Sequence, residues 1–163
     1  MIFIAIGSNL SSKAYGSPMG ACEYSVLELE QRQVRVVKKS HWYETKPIPV
    51  SNQPNFINGI VSVESELTSA QLLALLHEIE AQMGRKRSVE NAARIIDLDL
   101  IAYHTEIVES DVLTLPHPRM TKRAFVAAPI ADIAPDWCHP ISGQSISQIL
   151  AALSDQEITR VSD

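Results

Sequence analysis

The stretch Arg94-Ile-Ile-Asp-Leu-Asp-Leu-Ile-Ala-Tyr103 decides the fold, because it completes the order of elements predicted upstream of it. Apolar residues dominate it, yet it contains two aspartates, a residue type that is depleted in strands. Side chains alternate across a strand, so Asp97 and Asp99 point to one face while Leu98 and Leu100 point to the other. The predicted strand, residues 95–103, therefore carries two carboxylates on one face.

Upstream of this strand, apolar runs and helical periodicity predict five further elements. The predicted strands are residues 2–6, 34–43 and 56–64, and the predicted helices are residues 19–33 and 68–84. Thr68 is a good helix N-cap and Gly84 a good C-terminal stop. The proline-rich segment 46–55 is expected to be an extended loop.

The resulting order β-α-β-β-α-β predicts an α+β fold, a ferredoxin-like βαββαβ sandwich with helices on one face of a mainly antiparallel sheet. Beyond residue 103 the sequence adds a proline-rich loop at 115–118 and two further helices, near 121–130 and 146–153. No internal repeat or linker interrupts the chain, so residues 1–163 are expected to form a single domain.

The composition excludes several classes of protein. The 163 residues are 45% hydrophobic and carry a net charge of −5, which argues against sequence-nonspecific binding of nucleic acid. Two cysteines form neither a disulfide framework nor a cysteine-rich metal site, and favour free thiols in a reducing compartment. No apolar run approaches the roughly 18 residues of a membrane span, and residues 1–6 do not resemble a signal peptide. We expect a cytoplasmic monomer without a membrane partner.

Two carboxylates about 7 Å apart on one strand face repel each other unless a cation lies between them. Mg²⁺ suits such a pair, since it takes one or two carboxylates and completes its shell with water and phosphate. The alternative is a solvent-facing strand with two charged residues. Basic residues surround the pair in sequence: Arg85, Lys86, Arg87 and Arg94 precede it, and Arg119, Lys122 and Arg123 follow it. A polyphosphate substrate needs this combination of metal and cations.

Two other segments have features of binding sites. Residues 45–58 combine Phe56 with several carboxamides and a proline-stiffened backbone, which suits a small planar heterocycle. An ordinary polar loop, with Phe56 at the start of a core strand, explains the same composition. His117 lies between two prolines that restrict its backbone, as in a turn or at a ligand. The chain has no Walker A or G-x-G-x-x-G glycine loop for phosphate.

These motifs occur together in one known family. Arg94-x-x-Asp97-Leu98-Asp99-Leu-Ile is preceded by Arg85-Lys-Arg87 and followed by Leu115-Pro-His117-Pro-x-Met-x-x-Arg123-x-Phe125. Gly7-Ser8-Asn9-Leu10 and Tyr43-Glu-Thr45…Gln53-Pro54-Asn-Phe56-Ile-Asn58 occur earlier. In this order the motifs closely resemble the 6-hydroxymethyl-7,8-dihydropterin pyrophosphokinase family of folate biosynthesis, from about residue 2 to residue 150.

The resemblance implies a ferredoxin-like fold and transfer of the β,γ-diphosphate of ATP to the hydroxymethyl group of a reduced pterin, with release of AMP. It implies two Mg²⁺ ions on Asp97 and Asp99, which bridge the phosphates and the attacking hydroxyl so that no protein base is needed. The implied catalytic residues are Arg85, Arg87, Arg94, Asp97 and Asp99. The implied ATP contacts are Glu80, Arg94, His117 and Arg123. The implied pterin pocket is Thr45, Ile48, Phe56, Asn58 and Phe125.

Three positions depart from the pattern of that family. Glu90-Asn91 stands where many members carry an aromatic residue, Lys46 where proline is common, and Pro118 where other members have an aromatic. We expect loop 85–93 to be mobile without nucleotide and to close on it. Two alternatives remain at this stage: a two-metal nucleotidyltransferase or phosphohydrolase, and an RNA-binding or small-ligand regulatory module. The net acidity, and the lack of paired aromatics on the central strands, argue against RNA.

Overall fold

The computed structural model describes residues 1–85 and 92–162. The strands are β1 (Ile2–Ser8), β2 (Arg35–Lys39), β3 (Tyr43–Thr45), β4 (Phe56–Glu64), β5 (Asp97–Tyr103), β6 (Val108–Glu109), β7 (Thr114–Leu115) and β8 (Thr159–Arg160). The helices are α1 (Pro18–Gln31), α2 (Ser69–Gln82), α3 (Ala124–Ile133) and α4 (Ile146–Ala151), and a 3-10 turn (Met120–Lys122) precedes α3.

The main sheet is antiparallel and has the order β5-β1-β4-β3-β8, with β2 also paired to β4. The short apolar run of β1 lies at its centre, hydrogen-bonded to β4 on one side and to β5 on the other. A separate two-stranded sheet joins β6 to β7. The α+β class predicted from the sequence is confirmed, but the order up to β5 is β-α-β-β-β-α-β, with one strand more than the predicted βαββαβ.

Helices cover both faces of the main sheet. On one face, α1 and α2 pack on Ile2, Ile4 and Ile6 of β1, as the predicted sandwich requires. On the other face, α3 and α4 pack on Phe3 and Ile101. The prediction of helices on one face therefore holds for α1 and α2 only, because the C-terminal helices bury the opposite face.

The most regular sequence signals gave the right elements. Thr68 caps α2 in a capping box with Gln71, and Gly84 ends the helix with a φ of 93°, a left-handed conformation that glycine adopts without strain. Residues 46–55 contain no helix or strand, as predicted. In the described part of the chain, none of the helices has the length and apolar character needed to cross a membrane.

Two predicted elements differ from the structure by more than two residues at an end. The single strand predicted for residues 34–43 is split into β2 and β3 by residues 40–42, and the Trp42 ring packs directly on Gly59. A Cβ at Gly59 would lie 2.5 Å from that ring. The helix predicted from residue 121 begins at Ala124, because Arg123 is extended, with φ −128° and ψ 109°.

The short strands β6, β7 and β8 were not predicted. Residues 86–91 lie outside the described residues, and with them Arg87, Glu90-Asn91 and most of the predicted loop 85–93. The roles and the mobility expected for these residues therefore remain predictions.

Candidate active site

The candidate site lies on the α3 face of the sheet, at the end where β5 changes from apolar to acidic residues. Along this face β5 presents Ile101, then Asp99, then Asp97, while β1 presents Phe3, Ala5 and Gly7. The register places Gly7 opposite both Asp97 and Asn58, in one row across the sheet. The small residues of the central strand therefore form the floor of a trough between two aspartates and a carboxamide.

This trough is a cleft with about 770 Å³ of open space. It brings together all five residues of the predicted pterin pocket: Thr45, Ile48, Phe56, Asn58 and Phe125. It also contains four charged residues predicted for the reaction: Arg94, Asp97, Asp99 and Arg123. Lys46, which replaces the common proline, lines it as well. Residues from four strands, two loops and the start of α3 thus converge on one opening.

The carboxamide of Asn58 is held in one orientation. Its Nδ2 donates to Oγ1 of Thr45 at 2.8 Å, in a buried position. A Cβ at Gly7 would lie 2.9 Å from Oδ1 of Asn58, so glycine at this position leaves room for the amide. With Nδ2 occupied, Oδ1 is the atom of Asn58 that can accept a hydrogen bond from a ligand.

An arginine side chain lies beside each of the two phenylalanine rings of the cleft. The Arg94 guanidinium lies 5.9 Å from the Phe56 ring centroid, and that of Arg123 lies 5.5 Å from the Phe125 ring centroid. Such distances allow cation–π attraction and orient the planar guanidinium groups. Both cations are therefore held between the aromatic part of the cleft and its aspartates.

Asp97 has positive partners within the chain. Arg85 pairs with Oδ1 of Asp97 and also with Glu80, and Nη1 of Arg94 donates to Oδ2 of Asp97 at 3.1 Å. Glu80 is only 1% exposed and accepts from the backbone N–H of Leu98 at 3.4 Å. These contacts hold the first residues of β5. Glu80 acts from α2, on the opposite face of the sheet, and Arg94 acts from the segment before the strand.

Asp99 has a different environment. Among the described residues none donates a hydrogen bond to its carboxylate or lies within ion-pair distance. Burial, followed by the charge of Asp97, raises the pKa of Asp99 to about 6. The arginine that opposes this shift most strongly is Arg123. Burial and the charge of Arg119 lower the pKa of Arg123, which has no ion-pair partner in the described part of the chain.

The two aspartates fit the magnesium ions predicted from the sequence. Carboxylate oxygens are hard ligands, and the Asp99 oxygens are not engaged by the described residues. Those residues contain no group of three or more histidine, cysteine, aspartate or glutamate side chains that could hold a metal. Two carboxylates suit an ion such as Mg²⁺, which takes its other ligands from water and substrate phosphates.

Three predicted ATP or catalytic residues do not line the cleft. Arg85 lies beside it, joined to Asp97, and Glu80 is buried behind Arg85. His117 lines a second, open pocket together with Thr114 and the turn at 139–144. Its backbone N–H donates to the Ile101 carbonyl at 2.8 Å, which joins this loop to β5.

Asn9 is a site residue to which the sequence analysis gave no role. It is 1% exposed and its Oδ1 accepts the Arg94 backbone N–H at 2.9 Å. Its Nδ2 donates to the Gln53 side chain at 3.0 Å and to the Pro54 carbonyl at 3.1 Å. One buried side chain thus joins the backbone at Arg94 to loop 46–55. The available signal was an asparagine that ends the Gly-Ser-Asn turn directly after a buried strand.

Comparison with known proteins shows the same family along most of the chain. The family described as 7,8-dihydro-6-hydroxymethylpterin-pyrophosphokinase (HPPK) matches residues 3–135. A 2-amino-4-hydroxy-6-hydroxymethyldihydropteridine pyrophosphokinase of Methylorubrum extorquens is 37% identical over 159 residues, covering 98% of this chain and 97% of that protein. The Haemophilus influenzae protein of the same name is 32% identical, covering 98% and 96%.

Other matches are to longer proteins. The folic acid synthesis protein fol1 of Pneumocystis carinii is 34% identical over 98% of this chain, which spans only 21% of that protein. A crystal structure of Plasmodium falciparum HPPK-DHPS with pteroate superposes with a TM-score of 0.68 at 13% identity, covering 94% of this chain and 42% of that one, and shows the shared fold. From its match over residues 3–135, the chain belongs to the 7,8-dihydro-6-hydroxymethylpterin-pyrophosphokinase family.

Proposed function

We propose that this chain transfers diphosphate from ATP to the hydroxymethyl group of 6-hydroxymethyl-7,8-dihydropterin. The hydroxyl oxygen forms a bond to the β-phosphorus of ATP, and the bond from that phosphorus to the oxygen shared with the α-phosphate breaks. AMP leaves with that oxygen, and the hydroxyl proton passes to solvent. Membership of the family supports this reaction, as do the names of the full-length relatives.

The observation that carries the proposal is the row Asn58, Gly7, Asp97 across three neighbouring strands. It puts the carboxamide suited to a heterocycle edge and the carboxylates suited to a metal–phosphate group in one cleft. The glycine between them leaves the space in which a hydroxymethyl arm would lie. No glycine-rich phosphate loop is needed for such an arrangement.

In this proposal the pterin lies between Phe56 and Phe125, and its polar edge faces Asn58. Aromatic rings bury the faces of the heterocycle, and Oδ1 of Asn58 accepts from one of its N–H groups. Because Thr45 already binds the amide nitrogen, the orientation of Asn58 is set before the ligand arrives. The reactive arm then points along the trough towards the aspartates.

The charged residues act on the phosphates. Arg94 and Arg123 supply positive charge where negative charge is redistributed during transfer, which is the main catalytic requirement of phosphoryl-type reactions. Mg²⁺ on Asp97 and Asp99 would neutralise the phosphates and lower the pKa of the attacking hydroxyl. Arg85, Arg87, Glu80 and His117 are proposed to serve the nucleotide side.

The test is product analysis with ATP, Mg²⁺ and hydroxymethyldihydropterin. The proposal requires AMP and pterin diphosphate, with AMP formed only when the pterin is present. Release of pyrophosphate would indicate a nucleotidyltransferase, and release of ADP or phosphate without pterin would indicate a phosphohydrolase. Retained turnover in Asp97→Ala would contradict the metal assignment.

We also propose that the enzyme is active as a monomer in the cytoplasm. Both Cys22 and Cys138 are free thiols, as expected in a reducing compartment. A specific activity that does not change over a hundredfold range of protein concentration supports the monomer. A steep loss on dilution contradicts it.

A further inference from the structure

The start of α3 lacks a cap of its own. The N-cap residue is Arg123, and its side chain makes no capping hydrogen bond. Arginine has no acceptor oxygen, so it cannot take the place of serine, threonine, aspartate or asparagine at this position. The first backbone N–H groups of a helix need an acceptor from elsewhere. The guanidinium lines the cleft instead.

Gln156 from the C-terminal segment supplies the missing contacts. Its Oε1 accepts the backbone N–H of Ala124 at 2.9 Å, and its Nε2 donates to the carbonyl of Lys122 at 2.8 Å. The two bonds hold the backbone on both sides of Arg123. One amide side chain thereby holds the extended residue from which the guanidinium projects.

The same segment is anchored to the opposite wall of the cleft. We name residues 156–161 the C-terminal strap. Within it, β8 pairs with β3, Arg160 lying opposite Tyr43, and the backbone N–H of Val161 donates to the Trp42 carbonyl at 2.8 Å. Strand β3 ends at Thr45, the partner of Asn58 in the pocket. The C-terminal strap therefore links the Arg123 wall to the Thr45 wall.

We propose that Gln156 is a positioning residue for the reaction, which acts by holding Arg123 and Phe125 against the cleft. The inference rests on the proposed function for what the cleft binds. Gln156 lies outside the residues 3–135 that match the family, so the family pattern does not assign it. Loss of its two bonds frees the backbone at Arg123, and the guanidinium and the Phe125 ring then sample more positions.

The experiment compares Gln156→Ala with Asp155→Ala, an exposed neighbour in the same segment, in the full-length chain. We expect Gln156→Ala to raise the KM for ATP and for the pterin about tenfold with a smaller change in kcat. We expect amide hydrogen exchange at Ala124 to become at least tenfold faster, while exchange in β1 and the thermal midpoint change little. Asp155→Ala should match the parent in each measurement.

A second variant separates the two bonds. Gln156→Glu keeps the acceptor for Ala124 and loses the donor to Lys122, so its KM values and its Ala124 exchange should lie between those of the parent and Gln156→Ala. The proposal would be overturned by unchanged KM values in Gln156→Ala. It would also be overturned if the loss of activity only matched a loss of global stability. If the parent forms no AMP, the proposed function fails, and Ala124 exchange together with calorimetric binding of ATP still decides the role of Gln156.

Discussion

Asp97 and Asp99 lie two residues apart on one strand face, yet their surroundings are opposite. On the Asp97 side, Arg85 and Arg94 are ion-paired to the carboxylate, and Asn9 fixes the Arg94 backbone. On the Asp99 side, a carboxylate with a raised pKa faces Arg123, and neither has an ion-pair partner among the described residues.

The difference separates two tasks within one cleft. The Asp97 side is neutralised by the chain itself and is stable without a ligand. Among the described residues, the Asp99 side keeps a carboxylate and a guanidinium without ion-pair partners, at a cost in folding free energy. A metal ion and a phosphate would relieve that cost, so this side is built for binding. Substitutions on the two sides should therefore act differently on stability and on activity.

The largest effect is expected from neutralising either aspartate. Asp97→Asn and Asp99→Asn should each lower AMP formation at least about a thousandfold, since both carboxylates hold metal in the proposed reaction. Their effects on stability should have opposite signs. Without metal at pH 8, Asp99→Asn should raise the free energy of unfolding by about 1–2 kcal/mol, because it removes a partly buried carboxylate whose pKa is raised by desolvation and by the charge of Asp97. Asp97→Asn should lower it, because Arg94 loses its ion-pair partner and Arg85 loses one of its two.

Denaturant titration in EDTA measures the stabilities, and product analysis measures AMP. The exposed Asp111→Asn is the matched control and should change neither quantity. Changes in stability of the same sign in Asp97→Asn and Asp99→Asn would contradict the proposed difference between the two sides.

The next largest effect concerns the unpaired cation. Arg123→Ala should lower kcat/KM about a hundredfold, as is typical for the loss of one group that stabilises transition-state charge. The exposed Lys122→Ala removes a positive charge one residue away and should lower kcat/KM no more than about threefold. Because Arg123 forms no ion pair with any described residue, Arg123→Ala should leave the free energy of unfolding nearly unchanged. A marked loss of stability in equilibrium unfolding experiments would show that the Arg123 side chain makes a structural contact.

A smaller effect on activity is expected for the side that the chain already holds. Asn9→Ala removes the contacts between Arg94 and loop 46–55 and leaves buried polar groups without partners. It should lower the free energy of unfolding by about 1–3 kcal/mol and kcat/KM about tenfold. Asn52→Ala, exposed in the same loop, is the control. Parent-like activity with lowered stability would confine Asn9 to a structural role.

Much of the fold followed from local signals. Thr68 and Gly84 mark the ends of α2 through capping and a left-handed turn, and both depend on residues close in sequence. The alternation in β5 correctly put Asp97 and Asp99 on one face. The break between β2 and β3 was missed, and no local signal shows that Trp42 packs on Gly59, seventeen positions away on another strand.

For the site, the sequence identified residue types and the structure supplied their partners. Five pocket residues were predicted through the family resemblance, and all five line one cleft. No local pattern could show that Asn9 contacts Arg94, or that Gln156 caps the helix after Arg123, because these contacts join distant segments. The unequal partners of Asp97 and Asp99 are likewise invisible in the symmetric motif Asp-Leu-Asp.

The smallest expected effect is a pH dependence of the free energy of unfolding. It reports the positive charge of Arg123 on the Asp99 side. Burial, then the charges of Arg123 and Arg119, lower the pKa of His117 from 6.5 to about 4, and Asp97 opposes the shift. The backbone N–H of Arg119 donates to Nδ1 at 3.2 Å, which requires that nitrogen to be unprotonated. The fold therefore keeps His117 neutral, while the unfolded chain takes up a proton below pH 6.5.

The free energy of unfolding contains a His117 contribution that is complete above pH 6.5 and is lost as the pH falls towards 4. His117→Asn should therefore flatten the decline between pH 6.5 and 4, measured by denaturant titration at several pH values, whereas the exposed His104→Asn should keep the slope of the parent. Arg123→Ala should also reduce the slope, since removing that charge raises the pKa of His117. If Arg123→Ala leaves the slope unchanged, the positive charge of Arg123 is compensated in solution, and the contrast between the two aspartates is smaller than the geometry indicates.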